Sequence, residues 1–326
     1  MGERKMKNHR TNLSQRVRYA IIAGMAGAFL IPQIGFAAPT GENVVSGGAT
    51  VTRSGNDTNI NSSNVNNVIK WSDYSLVHGE RVVHDGGAKT NNYLNIVTGA
   101  NTSNIDGKIE GGKNVYIVNP NGVIFGKNAE VNVGYLHVST QDTSTVNTAA
   151  DMANNVSPLS TTAAGISDVV NMGKITADTV EVHGKNIRFL NAGNVHTTAS
   201  PVVLHTDTAN GGYAHIGYKS GHVPAVTDYK INNNNATADN YYQLVADKTE
   251  FQNINSDRTK NYMLENDIDF SGTALTPIGD DTTKFTGKLD GNFFQVKNFK
   301  VSGGSRAGLF GTTSGARLEN FGVVGA

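Results

Sequence analysis

The chain has no cysteine in 326 residues. Disulfides are therefore excluded as a source of stability, and so are the thiolate ligands of most structural zinc sites. Charge is scarce and balanced, with 27 Lys and Arg against 27 Asp and Glu. A neutral chain with no basic stripe has no electrostatic grip on a phosphate backbone or an anionic membrane surface, which sets nucleic acid aside as a partner. Helical periodicity is almost missing after the first forty residues, and no long apolar run follows them. What remains is a chain rich in glycine, 37 residues of it, with many short β-branched segments.

The N-terminus is the exception. Arg4, Lys5, Lys7, Arg10, Arg16 and Arg18 precede the apolar run YAIIAGMAGAFLIPQIGF, which ends at the small residues Gly35, Ala37 and Ala38. This is the form of a secretory signal over 1–37 with cleavage after Ala37. The run is close to the ~20 residues of a membrane anchor, but Pro32, Gly35 and the small residues favour removal. The mature chain is then expected to be soluble and exported.

Beyond the leader, ATVTR, NNVIKW, ERVVHD, YLNIVTG and GKIEGGKNVYIV alternate or run apolar between Gly, Asn and Asp, as short strands and tight turns do. From Ile105 the rhythm is regular: Ile105, Gly107 and Ile109, then Val115 and Ile117, Val123 and Phe125, Val131 and Val133, Leu136 and Val138. Ile175, Val180, Val182, Ile187, Phe189 and Val195 resume it. Inward residues at i, i+2 on strands this short predict the faces of an all-β parallel β-helix, in which every strand pairs with the coils above and below. Recurrent Asn between the apolar pairs suits such corners, because Asn tolerates left-handed backbone and stacks on equivalent amides.

Three segments depart from the rhythm. Residues 139–165, rich in Ser, Thr and Ala, read as a surface excursion. INNNNATADN (231–240) reads as a linker. YYQLVADKTEFQNIN (241–255) has apolar residues near helical spacing and predicts a short helix. The chain closes on GLFGTTSGARLENFGVVGA with no polar cap, so the end is expected either to be covered or to belong to a longer protein.

No catalytic pattern stands out. His78, His84, His137, His183, His196, His205, His215 and His222 show no H-E-x-x-H spacing, and neither a nucleophile elbow nor a phosphate-binding loop is present. No metal or cofactor is expected from these patterns. A β-helical polysaccharide-degrading enzyme would have to draw on Asp267 and Asp269, at i, i+2, and on Asp280 and Asp281. Such residues more often shape turns, and no enzymatic activity is expected.

Two stretches carry a resemblance. INSSNVNNVIKWSDYSLVHGERVVHD, followed by NYLNIVTGANTSNIDGKIEGGKNVYIVNPNGVIFGKNAEVNVGYLHVST, resembles the N-terminal secretion domain of two-partner-secretion exoproteins of the filamentous haemagglutinin type. The resemblance implies a right-handed parallel β-helix with an N-terminal capping sheet. It also implies export through an outer-membrane β-barrel transporter with periplasmic peptide-binding domains, and a secreted or cell-surface adhesin whose receptor or glycan is undefined. It carries the family's Asn-Pro-Asn-Gly motif onto Asn119, Pro120, Asn121 and Gly122, where Pro at the first turn position and Gly for positive φ suit a tight turn. The family's second short motif, Asn-Pro-Asn, has only NNYLN (91–95) as a counterpart.

The C-terminal part, with Gly308, Leu309, Phe310 and Gly311, is similar to a unit of the GLUG-type repeats of bacterial surface proteins. The resulting layout is a signal over 1–37, a secretion domain over 38–165, a β-helix extension over 166–230, the linker, and the repeat unit over 241–326. A self-transporting autotransporter passenger is the alternative disfavoured by the lack of a C-terminal membrane barrel in the sequence.

Overall fold

The computed structural model describes residues 38–146, 164–301 and 306–325. The leader with its cleavage at Ala37, and the middle of the excursion expected over 139–165, lie outside the described residues. Two compact units meet in sequence at Val245.

The first unit is a right-handed parallel β-helix. One sheet stacks Asn66–Trp71, Asn92–Val97, Asn114–Val118, Tyr135–Ser139, Thr179–Gly184, Val202–Thr206 and Tyr229–Ile231 in that order. A second stacks Ser103–Ile105, Val123–Phe125, Val169–Asn171, Ile187–Phe189, Ala214–Tyr218 and Tyr241–Val245. The third runs from Thr50–Ser54 through Asp57–Asn61, Arg81–Asp85, Lys108–Glu110, Glu130–Asn132 and Lys174–Ala177 to Val195–Thr197. Between Asn92 and Thr206 the chain visits the three sheets in turn, so each coil leaves its strands directly on those of the previous one.

Register follows from burial. Val115, Leu136 and Val180 stack, as do Ile117, Val138 and Val182, and all six are fully buried or nearly so. A one-residue slip would turn these apolar rows outward. The inward residues read from the sequence, from Ile105 to Phe189, form one continuous apolar core, with Val195 packed against it.

At the N-terminal end the parallel pattern stops. Asn43–Ser46 lies antiparallel on Asn66–Trp71, and Thr50–Ser54 antiparallel on Asp57–Asn61 around Gly55 at φ 56°. These antiparallel strands are the expected capping sheet, and they occupy hydrogen-bonding edges that would otherwise recruit another chain.

Residues 231–240 are not a linker. Tyr229–Ile231 turns back on Asn234–Asn235 through Asn232 and Asn233, at φ 48° and 69°. Two consecutive left-handed residues make the primed hairpin turn, and Asn is the side chain that accepts it. Asn232 Oδ1 also accepts from Thr206 N at 2.9 Å, and Ala236 is buried. The run of Asn that suggested a linker is turn chemistry.

The second unit repeats the construction on a smaller scale. Asn261–Leu264, Lys288–Asp290 and Arg317–Glu319 pair in parallel, as do Ile268–Asp269, Gln295–Lys297 and Gly322–Val324. Ala274–Leu275 pairs with Lys300–Val301. The helix expected over 241–255 shrinks to α1, Lys248–Asn253, because Tyr241–Val245 is a strand. Asp247 caps α1 by accepting from Thr249 N and Glu250 N at 2.8 and 2.9 Å.

Candidate functional site: the Asn119–Gly122 corner and the polar clusters on the coils

The Asn-Pro-Asn-Gly stretch joins the strand Asn114–Val118 to the strand Val123–Phe125. Gly122 N donates to Asn119 O at 3.0 Å, closing a β-turn with Pro120 and Asn121 at its centre. Asn121 keeps a negative φ, as a type I turn requires, and Gly122 takes φ 110°. A Cβ at Gly122 would stand 3.1 Å from Asp168 O.

Asn119 is fully buried and uses its whole amide. Its Nδ2 donates to Asn101 O and Ser103 Oγ, both at 2.9 Å, on the preceding coil. Its Oδ1 accepts from Asn121 N at 2.9 Å and Asn121 Nδ2 at 3.1 Å, and its N–H donates to Ser139 O on the next coil at 2.9 Å. Asn121 Nδ2 reaches Gly99 O at 2.8 Å, and Ser167 Oγ donates to Pro120 O at 2.5 Å. The corner is thus pinned to coils on both sides. Only Pro120 and Asn121 show part of their surface, while Asn119 and Gly122 are enclosed.

NNYLN contributes differently. Asn92 Nδ2 donates to Asn66 Oδ1 at 2.6 Å and Asn114 Nδ2 to Asn92 Oδ1 at 2.9 Å, an amide ladder up three coils. Asn95 points into the core, where its Oδ1 accepts from Trp71 Nε1 at 3.0 Å and its Nδ2 donates to Tyr116 O at 3.2 Å. His84 is buried beside it, 3.4 Å from Asn95 Nδ2, and burial pushes this imidazole down to about 4.

In the second unit, Leu309 is buried and Phe310 packs on Phe285 with ring centroids 5.3 Å apart. Ile278 N donates to Leu309 O at 3.0 Å and Gly311 N to Ile278 O at 2.9 Å, so Gly308, Leu309, Phe310 and Gly311 form a corner beside that of Ile278. A Cβ on Gly311 would lie 2.3 Å from Gly279 O.

The four acids considered for catalysis are engaged in the scaffold. Asp267 accepts from Gln295 N and pairs with Lys297 Nζ, each at 2.9 Å. Asp269 accepts from Ser271 N, Ser271 Oγ and Asn298 Nδ2, and the Ser271 backbone bond leads in holding it down to about 2. Asp280 accepts from Thr282 N and Thr283 N, with the Thr283 bond leading in holding its carboxyl below the ordinary value. Asp281 pairs with Arg306 at 2.6 Å. The lowered carboxyls of Asp269 and Asp280 run opposite to the raised pKa a general acid needs.

One cluster escaped the sequence reading. Glu181 and His183 on Thr179–Gly184, and His205 on Val202–Thr206, converge on the outward face of the first sheet. His183 Nε2 and His205 Nε2 stand 2.9 and 3.3 Å from Glu181 Oε1, and the two rings stack at 4.3 Å. His137, one coil earlier, has Nδ1 at 3.6 Å from Glu181 Oε2. Burial pushes His137 down to about 3 and His183 below its ordinary value. Burial raises Glu181, but the hydrogen bonds with His183 and His205 outweigh it and keep the carboxylate ionised. Glu-x-His was visible at i, i+2; His205 joins only through the coil register, about 22 residues on.

The sequence model of the TPS secretion domain matches residues 36–280. The chain belongs to the two-partner-secretion domain family, whose members cross the outer membrane with a partner transporter. It is 36% identical over 104 residues to the heme/hemopexin-binding protein of Haemophilus influenzae, covering 32% of this chain and 12% of that protein. It is 37% identical over 102 residues to halomucin of Haloquadratum walsbyi, covering 28% of this chain and 1% of that protein. The chain therefore spans a small fraction of the length of these relatives. The secretion domain of HMW1 from Haemophilus influenzae is a solved structure with TM-score 0.41 and 17% identity, over 88% of this chain and 66% of that one.

Proposed function

We propose that the protein is a non-enzymatic exoprotein with an adhesin-like role, secreted or held at the cell surface after passing a β-barrel transporter with periplasmic peptide-binding domains. The family match over residues 36–280 carries this reading. A leader over 1–37 cleaved at Ala37 would deliver the chain to the periplasm. The GLUG-like reading of 241–326 makes the second unit a surface-repeat element, and a host or bacterial glycan or receptor would be met on the exposed loops and faces.

Within this reading the Asn119–Gly122 corner has divided labour. Asn119 and Gly122 are enclosed and set its shape, whereas Pro120 and Asn121 are the part a transporter domain can touch. The test is secretion from a Gram-negative host with and without a co-expressed two-partner transporter, comparing wild type with Asn119→Ala, Gly122→Ala and Pro120→Ala. Export that requires the transporter and drops for Pro120→Ala, with circular dichroism unchanged, supports recognition of the corner. Transporter-independent export overturns the two-partner reading. Variants lost only through misfolding reduce the corner to a turn.

A further inference from the structure

We propose that Glu181, His183 and His205 form a binding site for a first-row divalent transition metal ion, Zn2+ being the simplest occupant. The three ligand atoms lie within 4.8 Å of one another. Ligands bound at ~2.0–2.1 Å in a tetrahedron stand roughly 3.3 Å apart, and the two nitrogens already sit 2.9 and 3.3 Å from one carboxylate oxygen. Two imidazoles and a carboxylate are the donor set of borderline ions, whereas Ca2+ and Mg2+ prefer oxygen alone.

His137 supplies an independent observation. It is 3% exposed, and among the described residues neither ring nitrogen has a hydrogen-bond partner. A buried polar group without a partner is costly, and Nδ1 faces Glu181 Oε2 at 3.6 Å. An ion held by Glu181 would lie on the side that this nitrogen faces. The surroundings suit the task. Tyr116 stacks on His137 at 4.4 Å and Tyr135 packs at 3.8 Å, fixing the ring. His205 and Glu181, with side chains 12% and 18% exposed, leave an approach from solvent.

The site also has a structural consequence. Glu181 and His183 lie on one coil and His205 on the next, so an ion there would cross-link two coils in addition to their ladder hydrogen bonds.

The experiment is equilibrium dialysis of the full chain, purified without a polyhistidine tag and stripped with chelator, against Zn2+ alone. Bound metal is counted by atomic absorption and thermal unfolding is followed with and without the ion. The expected result is one Zn2+ per chain, a rise in the melting temperature on loading, and at least a tenfold loss of affinity in His183→Ala, His205→Ala and Glu181→Gln. His222→Ala, at an exposed imidazole elsewhere, should bind as wild type. Binding below one ion per chain overturns the proposal, and so does full binding that survives His205→Ala and Glu181→Gln. Should the buried His183→Ala fail to fold, those two partly exposed variants decide the outcome. Substitution with Co2+ gives an independent readout: intense visible d–d bands that vanish in His205→Ala are expected, and bands unchanged in that variant contradict the assignment.

Discussion

Asn119 Nδ2 donates to Ser103 Oγ at 2.9 Å, a buried side-chain bond that ties the Asn-Pro-Asn-Gly corner to the coil beneath it. The same amide also satisfies Asn101 O and holds Asn121, so the corner is as much an inter-coil clamp as a turn.

Asn119→Ala should therefore destabilise the fold by about 1–3 kcal/mol, the cost of leaving buried partners unpaired. Asn119→Asp should do no better, since it keeps the acceptor for Asn121 N but loses both donations and buries a charge. Urea denaturation followed by circular dichroism measures both. A midpoint unchanged in Asn119→Ala would show that the amide network contributes nothing net.

Gly111 and Gly112 are adjacent and both have positive φ, 124° and 62°, yet they should respond differently to Ala. A Cβ at Gly111 would lie 1.8 Å from His84 O, whereas one at Gly112 meets nothing within 4 Å. Gly112→Ala carries only the left-handed penalty, about 1 kcal/mol. Gly111→Ala must also push two coils apart, and its denaturation midpoint should fall well below that of Gly112→Ala. Equal midpoints would mean that the coils can separate locally at no cost.

The inward rows were legible because a strand buried on one face alternates with period two, and Val115, Ile117, Leu136 and Val138 do so. The outward face of the same sheet was not. Val68, Leu94, Ile96, Tyr116 and Val118 are buried there as a second apolar cluster, and an alternation reading assigns such positions to solvent. The uninterrupted run Val115–Tyr116–Ile117–Val118 was the available signal, since strands covered on both faces lose their alternation. The Glu181, His183 and His205 cluster was hidden for a different reason. Its spacing is that of a coil, which varies as corners lengthen, so no fixed motif describes it. The corner at Asn119 was readable because Pro fixes φ and Gly admits the positive φ a tight turn needs. That Asn119 reaches Asn101 and Ser103 depends on stacking, which local sequence does not encode.

Stability should fall as the pH drops from about 6.5 toward 4, in part through His84. This imidazole is buried among Tyr93, whose ring centroid is 5.1 Å away, and Asn95, and burial lowers it to about 4. Above its unfolded value of about 6.5 both states are neutral and it contributes no pH dependence. Below that value the unfolded chain binds a proton that the folded chain refuses, which costs up to about 1.4 kcal/mol per pH unit until the folded group also titrates. Denaturant midpoints measured between pH 7.5 and 4.5 should decline for wild type and decline less steeply for His84→Gln. Identical slopes would assign the acid sensitivity to other groups.

The amide ladder Asn66–Asn92–Asn114 makes the last prediction. Asn92 is its middle member, donating to Asn66 and accepting from Asn114, whereas each outer residue makes one of these two links. Asn92→Ala breaks both and should cost about 1–2 kcal/mol, with each neutral hydrogen bond worth about 1 kcal/mol net. Asn66→Ala breaks one and should cost about half as much. If the links are the source of the effect, the double variant Asn66→Ala, Asn92→Ala should be barely less stable than Asn92→Ala, because the second substitution removes a partner already orphaned. Fully additive losses in the denaturation midpoint would place the cost in each side chain's own surroundings and remove the ladder as a stabilising element.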